Sequence, residues 1–406
     1  MIDSAIARLS HGQLPLYALG YGNFVVGVGA FVVIGILSPV LRDFGLTEQE
    51  AGLLLTVYAL AYAVASPLVV ALTGLLDRRD VMLAGLAVFL AGTVLSAIST
   101  GFALLLAARV VTAVGGALYT PVASSAAVGL AAPADRARAL GIVFGGLTLA
   151  QVAGVPLGSY IGYSFGWQAA FWVVAGFGVA ALPPLLRTVP RGIEVPTATL
   201  SALLQVLRNF GLMLAVSFTA LFCAALYVVY TFMGPMLEAR YALGANGITL
   251  FLVVFGVGAV IGNTLGAALT RRLGSDRSLI ILASGQIVLM PALMGLPLGL
   301  AAALGMTLVW SICAWSFMVP QQARLVALAP QFQGLLLALN ASAIYVGASF
   351  GATLGGVTLR VESFAWLGPV AAMVAALALL SVLLGHRFIS APALASATHI
   401  KRGEDA

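Results

Sequence analysis

The amino-acid sequence predicts an all-α integral membrane protein with twelve transmembrane helices in two pseudo-symmetric six-helix bundles. The mean hydropathy is +1.10 and 62% of the residues are hydrophobic, so too little polar material remains to cover a soluble protein. The 406 residues include only 19 basic and 13 acidic side chains. Nearly all of these charges fall in short gaps between stretches of about 20 apolar residues, the length that crosses a bilayer as a helix.

Twelve such stretches follow one another along the chain, and we number them spans 1 to 12. Arg42 and Asp43 follow span 1, Asp77 to Asp80 follow span 2, and comparable gaps close the later spans. The stretches lie at residues 16–40, 51–73, 81–98, 103–130, 138–163, 167–186, 211–236, 248–270, 279–296, 299–319, 334–358 and 364–385. No acidic residue falls within these bounds.

The distribution of basic residues predicts that both termini are cytoplasmic. With the N-terminus inside, the inner segments hold fifteen Lys and Arg residues, and the outer segments hold only Arg42, Arg240 and Arg360. Because the pI of 9.6 then reflects topology and anionic lipid headgroups, no nucleic-acid partner is expected. We expect a multi-pass protein of the plasma (bacterial inner) membrane without a cleavable signal.

One longer polar segment divides the chain into two halves with similar motifs. The predicted units are an N-terminal bundle (1–186), a cytoplasmic linker (187–209), a C-terminal bundle (210–385) and a cytoplasmic tail (386–406). An Ala-Leu-Thr sequence ends both span 2 and span 8, with an offset of 197 residues. Gly154 and Gly158 in span 5 recur at the same offset as Gly351 and Gly355 in span 11. Repeated bundles of this kind are typical of transporters that bind substrate between their halves.

Four short motifs carry a family resemblance. They are Ala71-Leu72-Thr73-Gly74-Leu75-Leu76-Asp77-Arg78-Arg79 after span 2, Arg109 with Gly115-Gly116 in span 4, Gly154-Val155-Pro156-Leu157-Gly158 in span 5, and Gly166-Trp167-Gln168-Ala169-Ala170-Phe171 at span 6. With 6+6 spans, the chain resembles the major facilitator superfamily and its twelve-span drug/proton antiporter branch, in particular the bacterial sugar- and drug-efflux permeases. The resemblance implies alternating access, a monomeric unit and an interface between the halves at the span 5 motif, a motif that marks exporters.

The resemblance also implies a conformational latch at the turn after span 2. We expect Asp77, Arg78 and Arg79 to contact the loop between spans 4 and 5, which carries Asp135, Arg136 and Arg138. Aligned on the two arginines, Gly74 stands at the aspartate position of the family and Asp77 at its glycine position. A simple stop signal with a helix-start carboxylate is the alternative.

Arg109 is the strongest candidate for function, because an arginine held at membrane depth costs at least ~2.5–3.5 kcal/mol. Many relatives carry a proton-binding glutamate in span 1, and Ala30 stands at that position here. At helical rise Ala30 and Arg109 lie at about the same depth. The alternative is an arginine that reaches the outer interface or helix-end carbonyls.

Uncharged polar and aromatic residues within spans complete the predicted pocket, since such pockets are mostly apolar with few polar anchors. Core packing is the competing explanation for each aromatic residue. The candidates are Tyr21, Asn23, Tyr119, Gln151, Tyr227, Tyr230, Asn263, Gln286, Trp310, Asn340 and Tyr345. Cys223 and Cys313 lie inside spans and predict neither a disulfide nor a metal site.

The sequence therefore favours a secondary transporter that exports a small organic molecule, with no cofactor. A facilitator or anion exchanger, in which Arg109 meets a negative substrate, is the alternative. A membrane-embedded enzyme would need paired acids, a metal cluster or a nucleophile with a base, and the sequence offers none. A Gly-rich phosphate-binding loop is also missing, which argues against ATP-driven pumping.

Overall fold

The computed structural model describes residues 13–74, 76–132, 135–193 and 200–400. Twelve helices in these ranges are long and apolar enough to cross a membrane, which confirms the predicted fold class. The spans of the first half are the helices Leu14–Phe44 (span 1), Glu48–Leu72 (span 2), Arg78–Ala97 (span 3), Phe102–Leu130 (span 4), Arg136–Leu149 with Val155–Phe165 (span 5) and Trp167–Thr188 (span 6).

A short helix, Leu200–Arg208, precedes the second half. The remaining spans are Phe210–Tyr230 with Met233–Tyr241 (span 7), Ala245–Leu273 (span 8), Ser275–Gly295 (span 9), Leu300–Trp315 with Met318–Leu328 (span 10), Gln333–Val361 (span 11) and Leu367–Ile400 (span 12). The last helix continues beyond residue 385, where the apolar stretch ends, because helix formation needs backbone hydrogen bonds and a favourable Ala-rich sequence rather than a continuous apolar run.

Consecutive spans are antiparallel, so the loops alternate between two faces of the bundle. We call the face with loops 2–3, 4–5, 8–9 and 10–11 and the interhalf segment the linker face, and the opposite face the distal face. On the distal face Thr47 and Glu50 form a reciprocal capping box that starts span 2. On the linker face the Asp77 side chain caps span 3.

The repeated glycine motifs make equivalent contacts in the two halves. In each half a glycine-containing helix lies closely against the first helix of that half, as small residues allow. The pairs are Gly154 with Val28 and Gly158 with Val32 between spans 5 and 1, and Gly351 with Ala224 and Gly355 with Val228 between spans 11 and 7.

Span 5 changes its winding at the Gly/Pro motif. Residues Ala150–Gly154 form a π-helical turn directly before Pro156, whose missing N–H interrupts the hydrogen-bond ladder. Opposite this turn lies Gly256 of span 8, where an added Cβ would be 2.7 Å from the Cα of Val152. The backbones of spans 5 and 8 therefore touch across the two halves near the middle of the bundle.

The halves are joined mainly at the distal face and the middle of the bundle. Thr56 and Thr353 bring their hydroxyl groups within 3.1 Å between spans 2 and 11, and Thr249 donates to Ser159 at 3.4 Å between spans 8 and 5. On the linker side, Arg136–Leu149 of span 5 and Met318–Leu328 of span 10 pack against helices of their own halves. This is the arrangement of a two-bundle protein closed at its distal face.

Candidate substrate site between the two halves

Arg109 is fully buried at the centre of the first half, with 0% of its surface exposed. Its Nη1 donates to the carbonyl of Gly29 at 2.6 Å and its Nη2 to the carbonyl of Ala30 at 3.0 Å. Arg109 therefore lies at the same membrane depth as Ala30, as the residue count at helical rise predicts. Helix carbonyls can accept these bonds because each oxygen has a second lone pair.

Aromatic rings cover the guanidinium of Arg109. Its central carbon lies 4.3 Å from the ring centroid of Tyr58 in span 2 and 6.0 Å from that of Phe171 in span 6. A cation facing a desolvated ring is attracted by about 2 kcal/mol. The Nε of Arg109 has no hydrogen-bond partner among the described residues. The arginine is therefore held by neutral groups, and its Nε–H stays without a partner among the described residues.

A chain of stacked rings leads from this arginine across the boundary between the halves. Tyr62, one turn below Tyr58 on span 2, stacks on Tyr345 of span 11 with centroids 3.8 Å apart. Phe31 of span 1 lies between Tyr345 and Tyr227 of span 7, at 6.2 Å from each. The rings of both halves therefore form one aromatic surface at the middle of the bundle.

The aromatic surface continues through the second half. Tyr230 of span 7 stacks on Phe255 of span 8 at 4.0 Å, and Phe255 meets Trp310 of span 10 edge-on at 5.2 Å. We refer to these rings as the aromatic belt, which consists of Tyr58, Tyr62, Tyr345, Phe31, Tyr227, Tyr230, Phe255 and Trp310.

Several polar groups of the aromatic belt have no partner within the described part of the chain. A buried hydroxyl or indole N–H without a partner costs about 1–3 kcal/mol, so such groups point to a missing ligand or water. These groups are the hydroxyls of Tyr58, Tyr227 and Tyr230 and the indole nitrogen of Trp310. Together with Arg109 Nε, these groups are hydrogen-bond donors that lie among apolar ring surfaces. Such a site can bind a flat molecule on the rings and donate hydrogen bonds to its acceptor oxygens.

Other predicted pocket residues hold helices together within one half. Asn23 donates from Nδ2 to the carbonyl of Val143 at 3.1 Å, and Tyr119 donates to the carbonyl of Leu19 at 3.2 Å. In the second half Thr219 donates to Asn340 Oδ1 at 2.5 Å. Gln151 lies in the π-helical turn of span 5, and Gln286 is buried in span 9 with both amide atoms unpaired. Tyr21 and Asn263 are partly exposed and lie outside the aromatic belt.

Sequence reasoning missed Tyr58, Tyr62, Phe31 and Phe255, which form half of the aromatic belt. A signal for two of them was present. Tyr58 and Tyr62 are four residues apart, so they share one face of span 2. Phe31 follows Ala30 directly and was considered only as a landmark for the absent glutamate.

The chain was compared with known proteins. The family model described as "Major Facilitator Superfamily" matches residues 19–352. A chloramphenicol resistance protein of Streptomyces lividans is 32% identical, with 95% of this chain and 99% of that protein covered.

The chain belongs to the major facilitator superfamily.

Further relatives agree with this assignment. The inner membrane transport protein YdhP of Escherichia coli (strain K12) is 30% identical, with 92% of this chain and 96% of that protein covered. Among solved structures, a D-xylose–proton symporter shares the fold with a TM-score of 0.70 at 16% identity, covering 93% of this chain and 98% of that one. As a major facilitator protein the chain is a multi-pass membrane transporter and not an enzyme.

The turn after span 2 of this transporter contacts a different partner from the one expected. Asp77 accepts a bond from the backbone N–H of Gly192 at 2.6 Å, and Arg79 donates to the carbonyl of Leu186 at 2.6 Å. Asp80 pairs with Arg191 at 3.5 Å. The turn therefore binds the end of span 6 and the start of the interhalf segment. These backbone bonds, with Gly192 the largest contributor, lower the pKa of Asp77 below its ordinary value.

The expected contact with the loop between spans 4 and 5 is not among the polar contacts of the described residues. Asp135 and Arg138 make no hydrogen bond or ion pair with the turn, and the side chain of Arg136 lies outside the described residues. The Arg78 guanidinium instead donates to the carbonyls of Thr73 and Gly74 in its own turn. The physical reason is that Leu186, Arg191 and Gly192, at the end of span 6 and the start of the interhalf segment, lie beside the turn and offer it two backbone groups and one side chain.

The distribution of acids also needs a correction. The predicted bounds leave every carboxylate outside the spans, but several helices extend past these bounds. The helix of span 7 continues to Tyr241 and includes Glu238, and the first turns of other span helices include Glu48, Glu50, Asp80 and Asp276. The Glu238 carboxylate is only 26% exposed because it is paired: Tyr163 of span 5 donates to it at 2.5 Å and Arg42 of span 1 lies at 3.4 Å. A count of apolar residues places the end of span 7 at residue 236, before this charge, but the helix continues past Glu238.

Proposed function

We propose that this transporter exports small, flat, amphipathic organic molecules with acceptor oxygens and that the aromatic belt with Arg109 is its binding site. The observation that carries the proposal is the set of unpaired donors on stacked rings that spans both halves. A site shared by the halves changes shape when they move, as alternating access requires.

The chemistry of the belt supports this substrate class. Stacked rings bind flat apolar surfaces, and the unpaired Tyr and Trp donors orient groups such as carbonyl, nitro or carboxylate oxygens. A fully buried guanidinium disfavours a cationic substrate through charge repulsion. The substrates are therefore neutral or negatively charged.

The export direction is supported by the relatives and by topology. One relative of 32% identity is named a chloramphenicol resistance protein, and a transporter that moves the drug out of the cell would provide such resistance. The excess of basic residues on the linker face supports a cytoplasmic position for that face. A structure closed at its distal face would then receive substrate from the cytoplasm.

A second candidate is a facilitator or exchanger of organic anions. The specific observation in its favour is that Arg109 is charged and buried without a carboxylate in contact, so an anionic ligand could neutralise it. Glu238, the carboxylate that forms an ion pair across the halves among the described residues, lies at the distal end rather than at the belt.

Binding of labelled chloramphenicol, benzoate and an aliphatic sugar to the purified protein tests the site. We expect the two aromatic probes to bind and the sugar not to bind. Replacing Tyr227 and Tyr230 together by Phe should weaken binding about tenfold, since each lost hydrogen bond contributes about 0.5–1.5 kcal/mol. The control is Tyr160→Phe, because Tyr160 lies on the exposed surface of span 5.

Flux in proteoliposomes separates the two functions. Export driven by an imposed proton gradient supports the antiporter, whereas exchange of benzoate against an internal anion at clamped potential supports the alternative. Absence of aromatic binding, or an equal loss in the Tyr160 control, would contradict the assigned site.

A further inference from the structure

The distal face contains an ionic contact between the two halves that the substrate site does not use. Glu238 of span 7 receives the hydroxyl of Tyr163 at 2.5 Å and pairs with Arg42 at 3.4 Å. The guanidinium of Arg42 also lies 5.4 Å from the Tyr163 ring centroid. The Glu238 carboxylate of the second half thus binds side chains of spans 1 and 5 of the first half.

This contact differs from the other ion pairs of the described residues. Arg191 with Asp80 lies within the first half and Arg324 with Asp276 within the second. Other hydrogen bonds between the halves among the described residues involve uncharged Thr and Ser side chains, such as Thr56 with Thr353 and Thr249 with Ser159. Among the ion pairs of the described residues, Glu238 with Arg42 is therefore the one that joins the two halves.

The other charged and titratable groups around Glu238 are engaged elsewhere. Asp43, next to Arg42, accepts the indole N–H of Trp167 at 2.8 Å within the first half. Arg240, on the helix of Glu238, donates to the carbonyls of Leu293 and Met294, and Tyr241 donates to the carbonyl of Leu298. The first turn of span 8, which packs beside this helix, carries no charged side chain.

We propose that Glu238 is a proton-coupling residue and that its protonation releases the distal contact between the halves. The charged carboxylate binds both Arg42 and Tyr163, whereas a protonated carboxyl group loses the ion pair and most of the strength of the hydrogen bond. Because the contact exists only in the distally closed arrangement, a bound proton favours the distally open one. Partial exposure gives protons from the distal solution direct access to the carboxylate.

The inference depends on the chain being a two-half transporter, not on its substrate or direction of transport. A distance measurement without substrate therefore tests it independently of the proposed function. Spin labels are placed at Thr100→Cys and Asn246→Cys, two exposed distal positions in different halves. The native Cys223 and Cys313 are first replaced by Ala, and the purified full-length chain is studied in nanodiscs.

We expect the long-distance population of the otherwise wild-type protein to grow as the pH is lowered stepwise from about 8 to about 3, because a protonated carboxyl group no longer forms the ion pair with Arg42. Glu238→Gln, which imitates the protonated group, should raise the ratio of open to closed molecules about tenfold at about pH 8. It should also remove the pH response. Asp43→Asn is the matched control and should respond to pH as the wild type does.

Arg42→Gln gives a second test that does not alter the carboxylate. It should raise the open population at about pH 8, and combining it with Glu238→Gln should add little, because both changes remove one interaction. The proposal is overturned by a wild type without a pH response, by a Glu238→Gln protein that keeps the closed distances and the pH response, or by an Asp43→Asn protein that loses the response.

Discussion

Replacement of Arg109 by Met separates a binding role from a purely structural one. Methionine fills a similar volume without charge, so the space around Gly29, Ala30 and Tyr58 stays filled. The protein loses two hydrogen bonds and a cation–π contact of about 2 kcal/mol. It also no longer bears the cost of burying a guanidinium, which amounts to several kcal/mol. Because replacing buried ionic groups by apolar side chains is often neutral or stabilising, we expect the Tm to stay the same or rise.

Ligand binding should respond in the opposite way. A hydrogen bond to a charged group contributes about 1.5–3 kcal/mol, so the affinity for chloramphenicol should fall about 10- to 150-fold. Equilibrium binding and thermal unfolding of the same preparation measure both quantities. Arg324→Met is the control, since Arg324 is buried at the linker face beside Asp276 at 2.9 Å. It should lower the Tm and leave the affinity nearly unchanged. An Arg109→Met protein that binds the probe as tightly as the wild type would refute the binding role.

Three further predictions concern the rest of the molecule. Ala30→Glu should compete with an anionic probe such as benzoate by placing a carboxylate beside the Arg109 guanidinium, and Ala30→Gln, measured in the same binding assay, should compete much less. Asp77→Ala should lower the free energy of unfolding by about 0.5–2 kcal/mol, because the cap of span 3 is lost. It should also slow transport with little change in substrate affinity, which unfolding and initial-rate measurements would show. Because the pKa of Asp77 is lowered in the folded protein, this stabilisation is present at neutral pH and is lost as the pH falls below the ordinary pKa of Asp near 4. A reporter that is active only outside the membrane should be silent at Ala406 and active after Arg240 or Arg360, and activity at Ala406 would overturn the predicted topology.

Local chemistry allowed the sequence to predict the fold and the depth of one candidate site residue, Arg109. The twelve helices follow from apolar length alone. The match of Arg109 with Ala30 follows from the fixed rise of a helix, which makes residue counts equivalent to depths. Both results depend on distances along single helices, which a sequence contains directly.

Three other features depend instead on how different helices face one another. They are the aromatic belt, the partner of the turn after span 2 and the position of Glu238. Tyr345 lies 283 residues from Tyr62, and no local pattern indicates that their rings stack. In the sequence Glu238 follows the apolar stretch of span 7, and only the folded structure shows that Tyr163 and Arg42 bind its carboxylate. Likewise, Gly192 could not be assigned to Asp77 because backbone partners leave no signal in side-chain sequence.

Span 1 connects the substrate site with the distal contact, and this connection yields a last prediction. The helix Leu14–Phe44 contacts Arg109 through the carbonyl of Ala30 and Glu238 through Arg42, 12 residues further along, or about 18 Å. Both contact positions lie on this one helix of the first half, so a movement of the first half relative to the second changes the surroundings of both. A ligand changes the ratio of distally open to distally closed molecules only if it binds the two states with different affinities. At saturation this change equals the ratio of the two affinities, so complete opening of the contact must change the affinity for that ligand by the same factor. Glu238→Gln should therefore alter chloramphenicol affinity at about pH 8 in the direction that this linkage requires, and by no more than the factor with which chloramphenicol changes the spin-label populations of the wild type. Affinity that stays unchanged in Glu238→Gln while the ligand clearly shifts those populations would show that the distal contact and the substrate site belong to separate equilibria.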